Sequence, residues 1–253
     1  MRVLAWDTSS RIGAVAAVET DERGGLKLVA EWTLGVENTR HSERLLWGIH
    51  HTIESAGWRL ADVDAFGVGA GPGSFTGLRV GITTARTLAT QTGRPLVGIS
   101  SLAAVARPAA DWLTAAGRGR TVLAVVREAF QSEVFALWGP AQAVAKSNCE
   151  KLWAKGVHED ALAPAELAKR IRSKGAVVFG DGAGLMPRAG VSRGVGAFSG
   201  QVQGRYVALL AVEAIHAGLG RADADVRPRY LRDSSAEMKL RAGLLRPPGT
   251  RRS

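Results

Sequence analysis

The sequence predicts a two-lobed α/β fold in which each lobe is a mixed sheet covered by helices. The first hundred residues alternate short apolar runs, glycine-bearing turns and two segments of helical spacing, and the rest of the chain repeats this order less regularly. A glycine turn follows a strand in each half, "DTSSRIG" in the first and "GDGAG" in the second. A chain of 253 residues is long enough to build two such lobes.

The first half begins with three predicted strands, "RVLAWDTSS", "IGAVAAVE" and "LKLVAEWTL". The turns between them are short, which is typical of an antiparallel meander. Two helical segments follow, "HSERLLWGIHHTIESAG" and "FTGLRVGITTARTLATQTG", each of which precedes a further strand. Ser74 is expected to cap the second helix and Gly93 to end it. The strand–helix–strand order favours parallel pairing of the later strands.

The second half opens with a helix that Ser100 or Ser101 can cap and that Pro108 is expected to kink or end. Next come a strand pair, "TVLAVV" and "SEVFALWG", an amphipathic helix, "PAELAKRIRSK", a strand, "AVVFGDGAG", and a strong helix, "GRYVALLAVEAIHAGL". The predicted division is a first lobe over 1–102, a second lobe over 103–232 and a mobile basic tail over 233–253. Two similar α/β halves are typical of the actin and sugar-kinase type of fold.

Composition narrows the class of protein. Hydrophobic residues make up 46% of the chain and charged residues 22%, which is ordinary for a globular protein. The single cysteine, Cys149, excludes an internal disulfide and is consistent with a reducing cytoplasm. The sequence predicts no signal peptide and no membrane-spanning stretch. The net charge of +10 could attract nucleic acid or an acidic partner, but the basic residues are scattered without an aromatic RNA-binding signature, which favours a solvated surface.

The stretch "GAGPGSFTGLRVG", residues 69–81, could hold a phosphate or let segments pack closely. It lacks the Lys-Ser/Thr of a Walker motif, and it is not the dinucleotide fingerprint either. In the helix that follows, small residues recur every four positions, at Gly77, Gly81, Ala85 and Ala89. Each glycine inside a helix costs roughly 1 kcal/mol relative to alanine, so this small-residue strip calls for close approach by another element. We expect that element to be a partner, with this chain's own sheet as the alternative.

The preceding helix also indicates an interface. Leu45, Ile49 and Ile53 form one apolar face. The 3.6-residue period gathers four other side chains roughly opposite that face: Trp47, His51, Glu54 and Trp58. The outer face of a helix that covers a sheet is normally polar, so two tryptophans there favour a protein interface.

The glycine turns contain candidate nucleotide or Mg²⁺ contacts, which are Asp7, Thr8, Ser9, Gly180, Asp181 and Gly182. For Asp7 an Asx turn is the favoured alternative, because no second carboxylate has a clear role. The histidine spacing predicts no metal site, since His50 and His51 are expected to point to different faces of a helix. Neither a nucleophile elbow nor a Ser-His-Asp arrangement is indicated. The sequence predicts no catalytic residue.

"GPGSFTGLRVG" after an apolar strand, with "RHSERLL" upstream, closely resembles the TsaB family, also called YeaZ. The resemblance continues through "WDTSS", "GISSL", "VFGDGA" and "PRYLR", and so covers nearly the whole chain. It departs at Glu128–Phe135, where this chain reads "EAFQSEVF" and many relatives read "DARMGEVY". Phe130 stands at the arginine position, so no role can be carried over for that segment.

The resemblance implies an actin-like (ASKHA) fold and a cytoplasmic, non-catalytic scaffold in the synthesis of threonylcarbamoyladenosine at position 37 of ANN-decoding tRNAs. The implied partners are TsaD, a paralogue that forms a heterodimer and carries the metal-binding histidines and the transfer chemistry, and the ATPase TsaE. ATP or ADP and the metal are expected in the partner or at the interface. The complex, and not this chain alone, is expected to bind tRNA. We expect that the chain can form a homodimer when TsaD is missing. Family members dimerise through their first two helices, here 40–57 and 75–93. The implied interface residues are His41, Leu45, Trp47, His51, Glu54, Gly77, Arg79, Gly81, Ala85 and Arg86.

Three other functions remain open on the sequence. A free-standing ATP-dependent kinase or transferase of the sugar-kinase type would use Asp7 and "GDGAG", and it predicts tight Mg-ATP binding by the isolated chain. A glycopeptidase-like metalloprotease is disfavoured by the absence of metal-ligand spacing. An independent tRNA-binding module predicts an affinity that falls steeply with salt.

Overall fold

The computed structural model describes nine segments of the chain, which are residues 1–21, 25–35, 41–129, 133–147, 153–171, 175–187, 192–193, 200–221 and 225–231. The side chains of 41–43 and 192–193 are not described either. Cys149, Phe130 and the basic tail 233–253, on which the sequence made predictions, therefore lie outside the described residues, as does the side chain of His41.

The first sheet combines a meander with two parallel strands. Its five strands are β1 (Arg2–Asp7), β2 (Ile12–Thr20), β3 (Leu26–Gly35), β4 (Ala65–Gly71) and β5 (Leu96–Ser100), in the order β3-β2-β1-β4-β5. β1 pairs antiparallel with β2, and β2 with β3, whereas β1–β4 and β4–β5 are parallel. The short turns and the helical crossovers of the sequence account for this mixture. The predicted meander and parallel pairing are thus confirmed.

The second sheet repeats this pattern. Its strands are β6 (Val122–Glu128), β7 (Val134–Pro140), β8 (His158–Leu162), β9 (Val177–Phe179) and β10 (Ser192–Arg193), in the order β10-β9-β6-β7-β8. β6–β7 and β7–β8 are antiparallel, and β6–β9 and β9–β10 are parallel. Each sheet thus has one antiparallel and one parallel side around a central strand, β1 or β6. This duplication confirms the predicted actin-like α/β class, with a mixed sheet in each half.

Six helices cover the sheets in the described part of the chain: α1 (His41–Ser55), α2 (Phe75–Thr92), α3 (Ser101–Ala115), α4 (Ala141–Val144), α5 (Pro164–Ile171) and α6 (Gly204–His216). α1 and α2 contact one face of the first sheet, and α6 contacts the other. α3 packs against α6 and against β6 and β7. A single buried cluster therefore joins both sheets through α3 and α6. Alternate residues of β6, such as Val122 and Ala124, face α5 instead.

Several element ends follow the predicted signals. The Ser74 hydroxyl accepts a hydrogen bond from Gly77 N, and Gly93 ends α2 with a left-handed φ of 66°. Ser100 caps α3 in the same way through Ala103 N. The expectation that Pro108 could end this helix is wrong, because α3 continues to Ala115. Burial of α3 between the two sheets supplies packing energy that offsets the lost backbone hydrogen bond, a cost of about 3 kcal/mol.

The predicted lobe boundaries remain a prediction, although α6, within 103–232, contacts all five strands of the first sheet. The sequence pattern did not predict strand β8, whose residues His158–Leu162 read "HEDAL". Charged residues are typical of an edge strand, which is where β8 lies. Among the described helices, none has the length and apolarity needed to cross a bilayer.

Candidate functional site

The turn after β1 contains the candidate nucleotide contacts of the first lobe. Asp7 is fully buried, and Thr8 and Ser9 are nearly so. Asp7 Oδ1 accepts hydrogen bonds from Ser9 N at 2.7 Å and from Ser9 Oγ at 2.6 Å, and Asp7 Oδ2 accepts one from Ser101 Oγ at 2.5 Å. The bond from Ser9 N forms the predicted Asx turn. Both carboxylate oxygens are therefore engaged inside the chain.

The glycine-rich loop packs directly on this turn. A Cβ added at Gly69 would collide with the Asp7 carboxylate, and one at Gly73 would collide with Ser9 O. The backbone of the loop is tied to the same turn, because Ser74 N donates to Ser9 O at 2.7 Å. The loop therefore serves close packing, as predicted from the sequence.

The small-residue strip of α2 faces inward, so the expectation that it faces a partner is wrong. A Cβ at Gly77 would overlap Thr8 O, and one at Gly81 would overlap Thr8 Oγ1. Thr8 Oγ1 donates to Gly77 O at 2.7 Å, and Trp6 Nε1 donates to Gly81 O at 3.1 Å. Ala85 is fully buried in the same core. The strip lets the end of β1 lie against the helix backbone, so the sequence's alternative, packing on the chain's own sheet, is correct.

Arg127 joins the glycine turns of the two halves, and it is not among the residues predicted from the sequence. It lies near the end of β6, the counterpart of β1, and only 6% of it is exposed. Its Nη1 donates to Ser9 Oγ at 3.1 Å, and its Nε lies 3.8 Å from Asp181 Oδ2. An arginine near the end of the apolar run "VLAVVRE", matching Asp7 at the end of "RVLAWD", is the signal that could have revealed it.

The second glycine turn also packs tightly. Gly180 has a φ of 111°, and a Cβ there would collide with Val126 O. Gly182 lies against the backbone of Arg127, and Asp181 Oδ1 accepts a hydrogen bond from Glu128 N at 3.1 Å. The structure thus brings the two predicted sets together through Arg127. Binding of a nucleotide or Mg²⁺ by these residues stays a prediction.

The predicted interface residues divide into buried and exposed ones. The buried members, inside this chain's own core, are Leu45, Gly77, Gly81 and Ala85. The exposed members are Trp47, Glu54, Arg79 and Arg86, and His51 is partly buried. His41 belongs to α1, and its side chain is not described. Only the exposed set and His51 are available for contact, so the interface stays a prediction that rests on them.

Trp32, Trp47 and His51 form a partly exposed group that we call the tryptophan cluster. The ring centroids of Trp32 and Trp47 are 5.3 Å apart at 85°, and those of Trp47 and His51 are 4.1 Å apart. Trp32 comes from the edge strand β3, which the sequence analysis did not connect with α1. Trp32 is 37% exposed and Trp47 47% exposed, an unusual amount of indole surface on the outside of one sheet edge.

Trp58 does not belong to the tryptophan cluster, contrary to the sequence expectation. Helix α1 ends at Ser55, three residues before Trp58, so the helical period no longer applies. Trp58 is only 7% exposed and packs in the core between α1 and the sheet. The Arg2 guanidinium lies 5.4 Å from its ring centroid.

The expectation that His50 and His51 point to different faces is also wrong. Their ring centroids are 5.4 Å apart, and both side chains approach Glu54. His51 Nδ1 lies 3.5 Å and His50 Nε2 4.0 Å from Glu54 Oε2. Neighbouring helix residues diverge by about 100° at Cα, but imidazole rings are long enough to converge on a residue one turn later.

The two exposed arginines of α2, Arg79 and Arg86, make different contacts. The Arg79 guanidinium lies 5.0 Å from the ring centroid of Phe75, which stacks on Tyr230. Arg86 Nη1 lies 3.5 Å from Asp225 Oδ1. The pKa of Asp225 is below its ordinary value, chiefly because of a hydrogen bond from Arg227 and to a smaller extent because of Arg86.

Comparisons with known proteins find relatives of this chain in sequence and in structure. A family model described as TsaD, tRNA N6-adenosine threonylcarbamoyltransferase, matches residues 36–153. The TsaB protein of Haemophilus influenzae, described as a tRNA threonylcarbamoyladenosine biosynthesis protein, is 34% identical over 134 residues, 53% of this chain and 54% of that protein. TsaB of Escherichia coli is 33% identical over 116 residues, 43% of this chain and 44% of that protein. The matched part of this chain thus spans about half the length of these curated relatives.

A solved structure extends the likeness to both sheets. YeaZ from Pseudomonas aeruginosa superimposes with a TM-score of 0.68 at 25% identity, over 90% of this chain and 99% of that one. The chain is thus similar to TsaB (YeaZ) proteins in sequence over about half its length and in structure over both sheets. A second Pseudomonas aeruginosa structure, of an uncharacterized protein with similarity to the peptidase YeaZ, gives a TM-score of 0.71 at 26% identity. This likeness to TsaB proteins agrees with the motif "GPGSFTGLRVG", on which the sequence resemblance rested.

Proposed function

We propose that this chain is the non-catalytic partner subunit in the synthesis of threonylcarbamoyladenosine at position 37 of ANN-decoding tRNAs, pairing with a TsaD-type transferase. The names of its curated relatives support the pathway. The match of residues 36–153 to the transferase family model supports a partner of related fold. Two chains that share an ancestral fold can bury equivalent helices against each other in a pseudo-symmetric dimer.

The tryptophan cluster is the observation that best supports pairing with TsaD. Two partly exposed indoles and an imidazole pack on one another along α1 and β3, so their shape is fixed before any partner arrives. Rigid aromatic side chains lose little entropy on binding, and tryptophan is enriched among residues that dominate interface energies. Leu46, at 55% exposure, adds apolar surface on the same helix. We infer that TsaD covers this surface.

The absence of catalysis by the isolated chain is part of the proposal. The Asp7 carboxylate accepts three hydrogen bonds inside the chain, and Arg127 bonds to the adjacent Ser9. A carboxylate committed in this way is a poor ligand for a hydrated Mg²⁺. ATP or ADP and the catalytic metal then belong to TsaD or to the shared interface. The ATPase TsaE joins the pair, tRNA binds the assembled complex, and the same helices form a homodimer when TsaD is missing.

Replacing Trp47 with alanine tests the interface. We expect Trp47→Ala to weaken the complex with TsaD from the same organism by at least about 2 kcal/mol, roughly thirtyfold, because an interface anchor is lost. The free energy of unfolding of the isolated chain should fall by less than about 1 kcal/mol, since the indole is half exposed. Light-scattering chromatography gives the stoichiometry, and titration calorimetry gives the affinity.

Trp112→Ala is the matched control, because Trp112 is 55% exposed on α3, away from the tryptophan cluster. It should leave the affinity for TsaD unchanged. Equal binding by the parent chain and Trp47→Ala would contradict the assigned surface. Tight Mg-ATP binding by the isolated chain, measured by the same calorimetry, would instead favour the sugar-kinase alternative.

A further inference from the structure

Helix α1 carries a second group of side chains, which shares His51 with the tryptophan cluster. His50, His51 and Glu54 each offer one potential ligand atom, and these three atoms lie within 4.8 Å of one another. The spacing i, i+1, i+4 accounts for this, because side chains three and four residues apart are neighbours on a helix surface. The two histidines, whose spacing predicted no metal site, therefore lie close enough to Glu54 for all three side chains to bind one metal ion.

The separations of the ligand atoms are close to those of a zinc site. Zinc binds imidazole nitrogen and carboxylate oxygen at about 2.0–2.2 Å, so two ligands of a tetrahedral ion lie about 3.3–3.5 Å apart. His51 Nδ1 and Glu54 Oε2 are already 3.5 Å apart. His50 Nε2 is 4.0 Å from the same oxygen, and its side chain is 73% exposed and free to move the remaining distance.

His51 is the ordered ligand of the three. The centroid of its ring lies 4.1 Å from that of Trp47 and 6.0 Å from that of Trp32, so the two indoles restrict its rotation. Its Nδ1 is buried and, although Glu54 Oε2 lies 3.5 Å away, makes no hydrogen bond to the described residues. A buried polar atom without a partner is unfavourable, and coordination of a cation would satisfy it.

We propose that His50, His51 and Glu54 form a three-ligand site for a zinc-type divalent cation, with a further coordination position open toward solvent. Two neutral imidazoles and one carboxylate carry a net charge of −1, which favours a divalent cation. Two nitrogens and one oxygen suit zinc rather than magnesium or calcium, which prefer oxygen ligands. This site shares His51 with the surface proposed for TsaD, but it needs only the isolated chain, so its test does not depend on the proposed function.

The test is calorimetric titration of zinc chloride into the untagged full-length chain. The parent should bind one zinc ion. His51→Ala should bind more than about tenfold more weakly, because one of three ligands is removed. Cobalt(II) added in place of zinc should give the intense visible absorption of a four-coordinate site in the parent and lose it in the variant.

Glu54→Gln is a second variant that separates loss of a ligand from a folding defect in His51→Ala. The Glu54 side chain is 69% exposed, and its amide analogue keeps the same shape. It should lower the zinc affinity while leaving the melting temperature of the metal-free chain unchanged. His216→Ala is the matched control, an exposed histidine on α6, and it should bind zinc as the parent does. Lack of saturable binding by the parent, or binding that survives both His51→Ala and Glu54→Gln, would overturn the proposal and leave an ordinary surface ion pair.

Discussion

Gly77→Ala is expected to destabilise the isolated chain by about 2–3 kcal/mol and to lower its melting temperature by about 5–10 °C. Helix propensity alone predicts the opposite, since alanine is favoured over glycine by up to about 1 kcal/mol inside a helix. The added methyl group would overlap the Thr8 carbonyl oxygen, which belongs to the backbone after β1 and cannot move aside cheaply. Thermal and urea unfolding of the isolated chain measure the effect.

Gly35→Ala is the matched control for this substitution. A Cβ at Gly35, at the end of the edge strand β3, meets no atom within 4 Å. Its free energy of unfolding should stay within about 0.5 kcal/mol of the parent value. If the Gly77→Ala chain were as stable as the parent but unable to bind TsaD, the small-residue strip would belong to the partner interface. That result would contradict the assignment of the strip to this chain's own core.

Arg127→Ala is expected to cost about 2–4 kcal/mol of unfolding free energy. Arg127 is almost completely buried, and its removal would leave Ser9 Oγ without a donor and Asp181 without its cationic neighbour. Removal of one partner of a buried charged pair typically costs about 3–5 kcal/mol. The expected loss lies around or below the lower end of that range, because the Asp181 side chain is 51% exposed and water stabilises its charge.

Two further variants separate the contributions of Arg127. Asp181→Asn removes the charge but keeps a side-chain oxygen that can accept the hydrogen bond from Glu128 N, so it should cost less than about 1 kcal/mol. Arg127→Met keeps the aliphatic stem and should fall between the parent and Arg127→Ala. Urea unfolding at neutral pH measures all three. Equal stability of the parent and Arg127→Ala would show that the two glycine turns hold together without this side chain.

Local signals in the sequence predicted most of the first half correctly. Hydrophobic alternation gave the meander, and Ser74 and Gly93 marked the ends of α2, because caps and left-handed glycines act through neighbouring backbone atoms. The Asx turn at Asp7 was predicted for the same reason. These features depend on residues at most a few positions apart, which is the range that a sequence pattern reports.

The features that were missed depend on contacts between distant segments. The spacing of Gly77 and Gly81 indicates a close approach, but the approaching residue, Thr8, lies about seventy positions earlier in the chain. Arg127 meets Ser9 at a separation of 118 residues, and Trp32 meets Trp47 across the boundary between β3 and α1. Trp58 was misplaced because the helical period was continued past Ser55, where α1 ends. Tertiary packing decides the contacts of Gly77, Arg127 and Trp32, whereas the error on Trp58 came from the local end of a helix.

The most direct test of the proposed function is transfer of the threonylcarbamoyl group to adenosine 37 of an ANN-decoding tRNA, measured by mass spectrometry of the digested tRNA. The samples are this chain alone, TsaD alone, and both together, each with TsaE and the threonylcarbamoyl donor. We expect product in the mixture, none from this chain alone, and less when Trp47→Ala replaces the parent chain. Product from this chain without TsaD, or a yield from TsaD that this chain does not change, would contradict its assignment as the non-catalytic partner subunit.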